Sequence, residues 1–178
     1  MIITILIIAA GLAGLVIFVA SRPAEFSIMR SGTFRAPVAA VFDRVNDLHQ
    51  WQAWSPWARL DPAAENIFTG SLFGTGASMS WAGNKQVGAG RMTITETRPD
   101  SFIRLKLEFL KPFKAVNTAE FTFRPQDGQT VVTWAMSGTN HFLGKAIGLV
   151  MNCDKLVGGQ FEQGLANLRV VVEAAVPK

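Results

Sequence analysis

The stretch that decides the fold is residues 140–176, NHFLGKAIGLVMNCDKLVGGQFEQGLANLRVVVEAAV. Its five glycines each weaken a helix by roughly 1 kcal/mol relative to alanine. We therefore expect a short helix at 143–150, a break, and a long helix that closes over a sheet. The apolar side chains recur mostly at steps of three or four, which places them on one helix face: Ile147, Val150, Met151, Val157, Phe161, Leu165, Leu168 and Val172.

Asp154 near the start of the long helix has two interpretations. Asn152 is expected to cap this helix, which puts Asp154 in the first turn, where unpaired amides and the helix dipole favour a carboxylate. Asp154 also projects near the middle of the apolar stripe, where it could contact the polar head of a ligand. The sequence leaves both interpretations open.

The amino-terminal segment 2–20 is apolar and carries no charge. As a helix, its 19 residues would span about 28 Å, close to the roughly 30 Å hydrocarbon core of a bilayer. A cleaved signal peptide is the competing interpretation, but the segment lacks a basic start and its end is a poor cleavage context. We expect residues 1–21 to form a single-pass anchor, in contact with the lipid bilayer through 2–20. A bacterial inner membrane is the expected location, and the side of the domain stays open.

The chain after the anchor shows the period-two alternation of β-strands. A linker at 22–25 leads into one folded domain at 26–176, with a first strand at 26–35 and a short amphipathic helix after Pro37. Six further antiparallel strands are expected at 65–70, 77–82, 90–98, 101–110, 117–124 and 130–138.

One face of this sheet is predicted to be covered. The strand at 101–110 alternates apolar with charged side chains, which indicates one wet face and one covered face. The apolar side chains predicted for the covered face are bulky and adaptable, as are those that line apolar pockets. The equal alternative is that they fill a dry core without a pocket. The predicted ligand-binding residues are Met79, Trp81, Met92, Ile94, Leu105, Leu107, Phe109, Phe121, Phe123, Trp134 and Met136 from the sheet, with Met151, Asp154, Phe161 and Leu165 from the arm.

Two groups of residues are candidates for contact with a membrane or a protein partner. In the anchor, Ala10 and Gly14 are small residues four apart, a spacing that lets a second helix approach closely. Trp51, Trp54 and Trp57 form a tryptophan corner. One interpretation is a packed corner in which the indoles plug the end of the sheet. Because tryptophan favours interfaces, the other is a cavity mouth or a contact with a membrane or partner.

Composition narrows the function. The formal charge of +4 is spread without a run of Lys or Arg, so no nucleic-acid partner is expected. A single cysteine, Cys153, excludes an intramolecular disulfide and makes a thiolate metal cluster implausible. We predict no metal, no cofactor and no catalytic residue. Acid–base catalysis would have to use His49, His141, Asp154 or Glu162.

The predicted order of elements, together with three groups of residues, resembles a known family. The groups are Phe34, Ala36, Pro37, Val41, Phe42, Val45, Asp47, Trp51, Trp54, Ser55, Pro56 and Trp57; Gly74, Gly76, Trp81, Gly83, Asn84, Gly88 and Gly90; and Trp134, Gly138, Asp154, Lys155, Gly158, Phe161, Glu162, Gly164, Leu165 and Leu168. They resemble membrane-anchored members of the START-like SRPBCC superfamily, of the polyketide cyclase/dehydrase or lipid-transport type. The resemblance implies an α+β helix-grip fold, in which a curved seven-stranded antiparallel sheet wraps a long carboxy-terminal helix after one transmembrane helix.

Three functions follow as hypotheses. The resemblance implies a cavity between sheet and helix that holds a lipid, sterol, quinone or polyketide, so the first is a membrane-anchored binder or carrier of an apolar small molecule such as a lipid, isoprenoid or quinone. The second is an accessory or assembly subunit of a membrane protein complex. The third is a cyclase or dehydratase, although the superfamily shares no catalytic residue set.

Overall fold

The computed structural model describes residues 1–150 and 152–175. The helices are α1 (Ile2–Ser21), α2 (Val38–Asn46), α3 (Pro56–Leu60), α4 (Phe142–Val150) and α5 (Cys153–Ala175), with a 3₁₀ helix at Leu48–Ala53. The strands are β1 (Glu25–Phe34), β2 (Glu65–Thr69), β3 (Ser78–Ala82), β4 (Ala89–Arg98), β5 (Phe102–Lys111), β6 (Ala115–Gln126) and β7 (Gln129–Thr139).

All seven strands form one antiparallel sheet in the order β1-β7-β6-β5-β4-β3-β2. The first strand joins the last, with Glu25 opposite Thr139 at the start of β1. A bulge between Ala89 and Gly90 shifts the register of β4 against β5, and a bulge of this kind bends and twists a strand. The curved antiparallel sheet predicted from the sequence is confirmed.

The two ends of the sheet meet different parts of the chain. At the end that we call the α1 end, β1 starts, β7 ends, and the β5–β6 turn lies at 112–114. At the opposite end, the far end, the β2–β3 turn lies at 70–77. There the amide of Gly74 donates to the carbonyl of Asn46, the last residue of α2, over 2.9 Å.

The long helix α5 closes the covered face of the sheet, as predicted. Its inward side chains Phe161, Leu165, Leu168 and Val172 are all buried, and burial of each large apolar side chain contributes roughly 1.5–3 kcal/mol. The side-chain amide of Asn167, on α5, donates a hydrogen bond to the backbone carbonyl of the buried Trp54 over 3.0 Å. The helix is therefore fixed to both the sheet and the tryptophan corner.

Element boundaries agree with the predicted ones to within two residues. The predicted cap is confirmed, because the Asn152 side chain accepts a hydrogen bond from the amide of Lys155 over 2.9 Å. The linker is shorter than predicted, since β1 already begins at Glu25 and α1 extends to Ser21. Met151, which was assigned to the ligand-binding set, lies outside the described residues.

The amino-terminal helix α1 projects from the domain at the α1 end. Within the described part of the chain it is the one helix long and apolar enough to span a membrane. Its described side chains are exposed except near its end, where Val19 is buried. The ammonium of Lys145 in α4 donates to the carbonyl of Ala20 over 3.0 Å, so the last turn of α1 is docked on α4.

Candidate ligand-binding cavity

The covered face of the sheet is filled at the far end and hollow toward the α1 end. At the far end, α2 packs on β6 and β7, where Phe42 meets Phe123 edge-on with ring centroids 5.3 Å apart. Toward the α1 end, the sheet faces the 3₁₀ helix, α3 and the first turns of α5. This half of the interior holds a partly open cavity with a volume of about 220 Å³, just below the roughly 300–1,000 Å³ typical of ligand pockets.

The cavity wall is mostly apolar and comes from many parts of the chain. It is lined by Trp51, Gln52, Ser55, Trp57, Ala58, Asp61, Ala64, Asn66, Met79, Trp81, Val87, Met92, Leu107, Phe109, Trp134, Met136, Val157 and Phe161. Three methionines among them give a polarizable, adaptable surface. Such a wall can accept the flexible hydrocarbon part of a ligand.

One wall is a rigid stack of aromatic rings. Trp134 of β7 lies parallel to Phe161 of α5 at 4.2 Å and stacks on Phe121 at 4.8 Å on the sheet side. Gly164 permits this stack, because a Cβ there would lie 2.7 Å from Cζ3 of Trp134. The indole Nε1 of Trp134 is buried and has no hydrogen-bond partner among the described residues.

The tryptophan corner is held by backbone hydrogen bonds. Trp51 Nε1 donates to the carbonyl of Val45 over 2.9 Å, and Trp54 Nε1 donates to that of Arg44 over 3.2 Å. Both rings are buried, with exposed fractions of 3% and 0%. The predicted membrane or partner contact of Trp51 and Trp54 is therefore wrong, because packing leaves their rings no free surface; the half-buried Trp57 lines the cavity instead.

The opposite wall depends on a glycine in the bulged strand. Trp81 of β3 donates through Nε1 to the carbonyl of Val87 over 3.3 Å and meets Phe109 edge-on at 5.9 Å. A Cβ at Gly90 would collide with the Trp81 ring and with the carbonyl of Glu108. Only glycine therefore allows this indole to lie flat against the sheet.

Polar groups are concentrated on one side of the cavity, around α3. Gln52, Ser55, Asp61 and Asn66 lie there. Asp61 also ties the rim together, because its carboxylate accepts from the amide of Asn84 in the β3–β4 turn over 2.6 Å. An apolar ligand with one small polar group would find hydrogen-bonding partners only on this side of the otherwise apolar wall.

The first turns of α5 are held over the cavity by Arg30 of β1. Its guanidinium donates to both carboxylate oxygens of Asp154, over 3.1 and 3.0 Å, and to Glu162 over 2.7 Å. These hydrogen bonds hold the pKa of Asp154 below its usual value and raise that of Arg30. A Cβ at Gly158 would collide with the guanidinium, so this glycine lets Arg30 lie across the helix between Asp154 and Glu162.

The predicted ligand-binding residues fall into three groups by position. Those that line the cavity are Met79, Trp81, Met92, Leu107, Phe109, Trp134, Met136 and Phe161. Those packed in the core away from it are Ile94, Leu105, Phe121, Phe123 and Leu165. Asp154 lies outside, with its side chain 62% exposed, so the first-turn interpretation of this residue applies and the ligand-head interpretation is wrong.

Several lining residues had no place in the predicted set. Gln52 and Ser55 lie between the tryptophans, and Asp61 and Asn66 follow α3. Their only sequence signal is proximity to the tryptophan corner. The candidate acids and bases lie elsewhere: His49 stacks on Phe68 at 4.1 Å, His141 is exposed, and Asp154 and Glu162 bind Arg30. Within residues 1–150 and 152–175, no cluster of three potential metal ligands is found.

The sequence of the whole domain matches a known protein family. Residues 25–173 match the model of the family described as polyketide cyclase / dehydrase and lipid transport. The chain belongs to this family. No curated protein sequence matches the chain significantly.

Several solved structures share the fold of this family member, although their sequence identity to it is low. Protein CV1439 from Chromobacterium violaceum is 15% identical, with a TM-score of 0.61 over 85% of this chain and 98% of its own. The Aha1 dimer protein from Colwellia psychrerythraea is 12% identical, with a TM-score of 0.60 over 85% and 99%. The di-domain ARO/CYC StfQ of the steffimycin biosynthetic pathway is 11% identical, with a TM-score of 0.60 over 85% of this chain and 51% of its own. These similarities establish the helix-grip fold.

Proposed function

We propose that this protein is a membrane-anchored binder or carrier of an apolar small molecule such as a lipid, isoprenoid or quinone. The observation that carries the proposal is the cavity of about 220 Å³ between the sheet and α5, with its aromatic and methionine wall. A well-packed core leaves few voids larger than a water molecule, so a cavity of this size between rigid aromatic walls is a site for a ligand.

The polar side of the cavity narrows the class of ligand. Gln52 and Ser55 offer donors and acceptors, and Asn66 and Asp61 lie beside them. The ligand we propose has an apolar chain or ring against the methionines and one small polar group at α3. Membership of a family described by cyclase, dehydrase and lipid transport functions is consistent with such a ligand.

The proposed anchor is α1. A spanning helix whose last turn is docked on the domain would keep the cavity at the bilayer, where apolar ligands partition. A carrier held there would exchange its ligand with the membrane. The exposed face of α1 that carries Ala10 and Gly14 favours a second candidate, an accessory subunit whose anchor packs on a partner helix.

The proposal is tested by filling the cavity. Val87 lines it, whereas Val170 is an exposed valine on the outer face of α5. Full-length V87W, V170W and wild-type protein in mild detergent would be titrated with a fluorescent fatty acid and competed with quinones and isoprenoids. We expect wild-type protein and V170W to bind and V87W to lose binding. Equal binding by V87W and V170W would contradict the proposed site.

A further inference from the structure

The α1 end of the domain exposes large apolar side chains from three elements. Phe113, in the β5–β6 turn, is 58% exposed, and its neighbours Leu110 and Val116 are similarly exposed. We call the whole set the apolar rim: Leu110, Phe113, Val116, Phe142, Leu143, Leu149 and Leu156. A concentration of exposed large apolar side chains at one end of a domain is typical of a site of protein or membrane interaction.

Strand pairing places the parts of the rim next to one another. Gly138 of β7 is opposite both Phe26 of β1 and Asn117 of β6, so the start of β1 and the β5–β6 turn lie at the same end of the sheet, on either side of β7. The amide of Asn140 donates to the carbonyl of Ala24 over 2.7 Å. The apolar rim, α4 and the point where α1 leaves the domain are thus at one end of the sheet.

The short connection between α1 and β1 keeps the α1 end close to the bilayer if α1 spans it. Three residues separate Ser21, the last residue of α1, from Glu25, the first of β1. Even fully extended they bridge at most about 14 Å. The α1 end must then lie at the bilayer surface, and α4 is held there by the bond from Lys145 to α1.

The charges around the rim suit a bilayer with anionic headgroups. Lys111 and Lys114 flank Phe113 in the turn, and Lys145 lies on α4. Apolar side chains bordered by lysines are the composition of segments that lie in the membrane interface, because the apolar groups enter the acyl boundary while the ammonium groups bind phosphate. Glu25, at the start of β1, is an acidic residue at the same end of the sheet, and β7 separates β1 from the β5–β6 hairpin.

Two residues of the rim are next in sequence to residues that line the cavity. Phe109 lines the cavity while its neighbour Leu110 points outward, and Val157 lines it while Leu156 is exposed. Neighbouring residues of a strand point to opposite faces, so Leu110 lies on the outer face of the sheet and the cavity on the inner face, and both reach the α1 end. If a second protein bound the rim instead of the bilayer, it would cover this end of the sheet.

We propose that the apolar rim inserts into the headgroup region of an anionic bilayer and so holds the partly open cavity at the membrane with which it exchanges its ligand. The inference rests on the proposed anchoring by α1 and adds a specific lipid-contacting surface to it. The far end of the sheet offers a matched control. Phe73, in the β2–β3 turn, is 65% exposed, and it lies roughly 20 Å farther along the strands than Phe113.

Fluorescent labels at these two positions test the insertion. Full-length protein with C153S would carry a bimane label on F113C or F73C, in vesicles of phosphatidylcholine and phosphatidylglycerol. We expect a nitroxide carried on the lipid to quench the label at position 113, and aqueous iodide to quench the label at 73. A label at 113 that iodide reaches as well as at 73 would overturn the proposal.

The remaining outcomes of the labelling experiment are also decisive. A label at 113 that neither quencher reaches would mean that a second copy of the chain covers the rim, which overturns lipid contact there. Protein that does not float with the vesicles would refute the anchor and the rim together. Protein that floats with an iodide-accessible rim would refute only the rim.

A transfer experiment connects the rim to ligand exchange. We expect F113D to take up a fluorescent fatty acid from vesicles several-fold more slowly than F73D, while both bind it equally in detergent. Equal uptake rates would contradict the role of the rim in exchange. If the wild-type protein did not bind the fatty acid in detergent, the proposed function of the cavity would be contradicted instead. Failure of the rim proposal and failure of the proposed function are therefore distinguishable.

Discussion

Two glycine-to-alanine substitutions in α5 should change stability in opposite directions. Gly159 and Gly164 both lie inside this helix. An alanine at either position gains roughly 0.8–1.0 kcal/mol of helix propensity. A Cβ at Gly159 meets nothing within 4 Å, so G159A should stabilise the protein by about that amount.

The same substitution at Gly164 meets the aromatic stack. Its Cβ would lie 2.7 Å from Cζ3 of Trp134 and 3.2 Å from Pro56. The indole cannot move aside easily, because Phe161 and Phe121 enclose it at 4.2 and 4.8 Å. Overpacking of this kind typically costs about 1–3 kcal/mol. After the gain in propensity, G164A should be between neutral and about 2 kcal/mol less stable than the wild type.

Thermal unfolding of the full-length protein in mild detergent, followed by far-ultraviolet circular dichroism, measures the difference. The two variants should differ by about 1–3 kcal/mol, and each kcal/mol moves the Tm of a domain of this size by about 2–4 °C. G159A should melt above the wild type and G164A below G159A. If G164A melted as high as G159A, the close packing of α5 on Trp134 would be refuted.

Two further changes test the Arg30 contacts and the tryptophan corner. Because Arg30 lowers the pKa of Asp154, the stabilisation from this pair is complete above the ordinary value of 3.8 and is lost as the pH falls through the lowered value. R30Q should therefore reduce the urea midpoint at neutral pH and leave it near that of the wild type in strong acid; an equal reduction at both pH values would contradict the pairing. W54A should cost about 3–5 kcal/mol because its ring is fully buried, and W57A clearly less because its ring is half-buried at the cavity; similar losses in urea unfolding would show that the corner is packed differently.

The fold could be predicted because the sequence patterns that indicate strands and helix caps are local. Alternation along β5 separates Leu105 and Leu107 from Arg104 and Lys106 at once, and Asn152 is a cap whose partner is three residues away. The order of strands in an antiparallel sheet then leaves few arrangements for the terminal helix. Such signals need no knowledge of distant contacts.

The cavity was predictable only in part, because its limits depend on distant packing. Ile94 and Met92 share β4 and carry equally apolar side chains, yet Ile94 is in the filled half and Met92 is in the hollow half. What separates them is their position along β4, because Ile94 is two residues nearer the filled far end. Likewise, Arg30 and Asp154 are 124 residues apart, so Asp154 could be placed near the ligand as readily as outside it.

The central claim is that the cavity holds an apolar ligand at the membrane, and native mass spectrometry of full-length protein gently extracted from its own membrane tests it most directly. We predict a discrete added mass that matches a lipid, isoprenoid or quinone, survives dilution, and is missing from V87W. An empty wild-type protein that travels with a larger complex would contradict the carrier and support the accessory subunit.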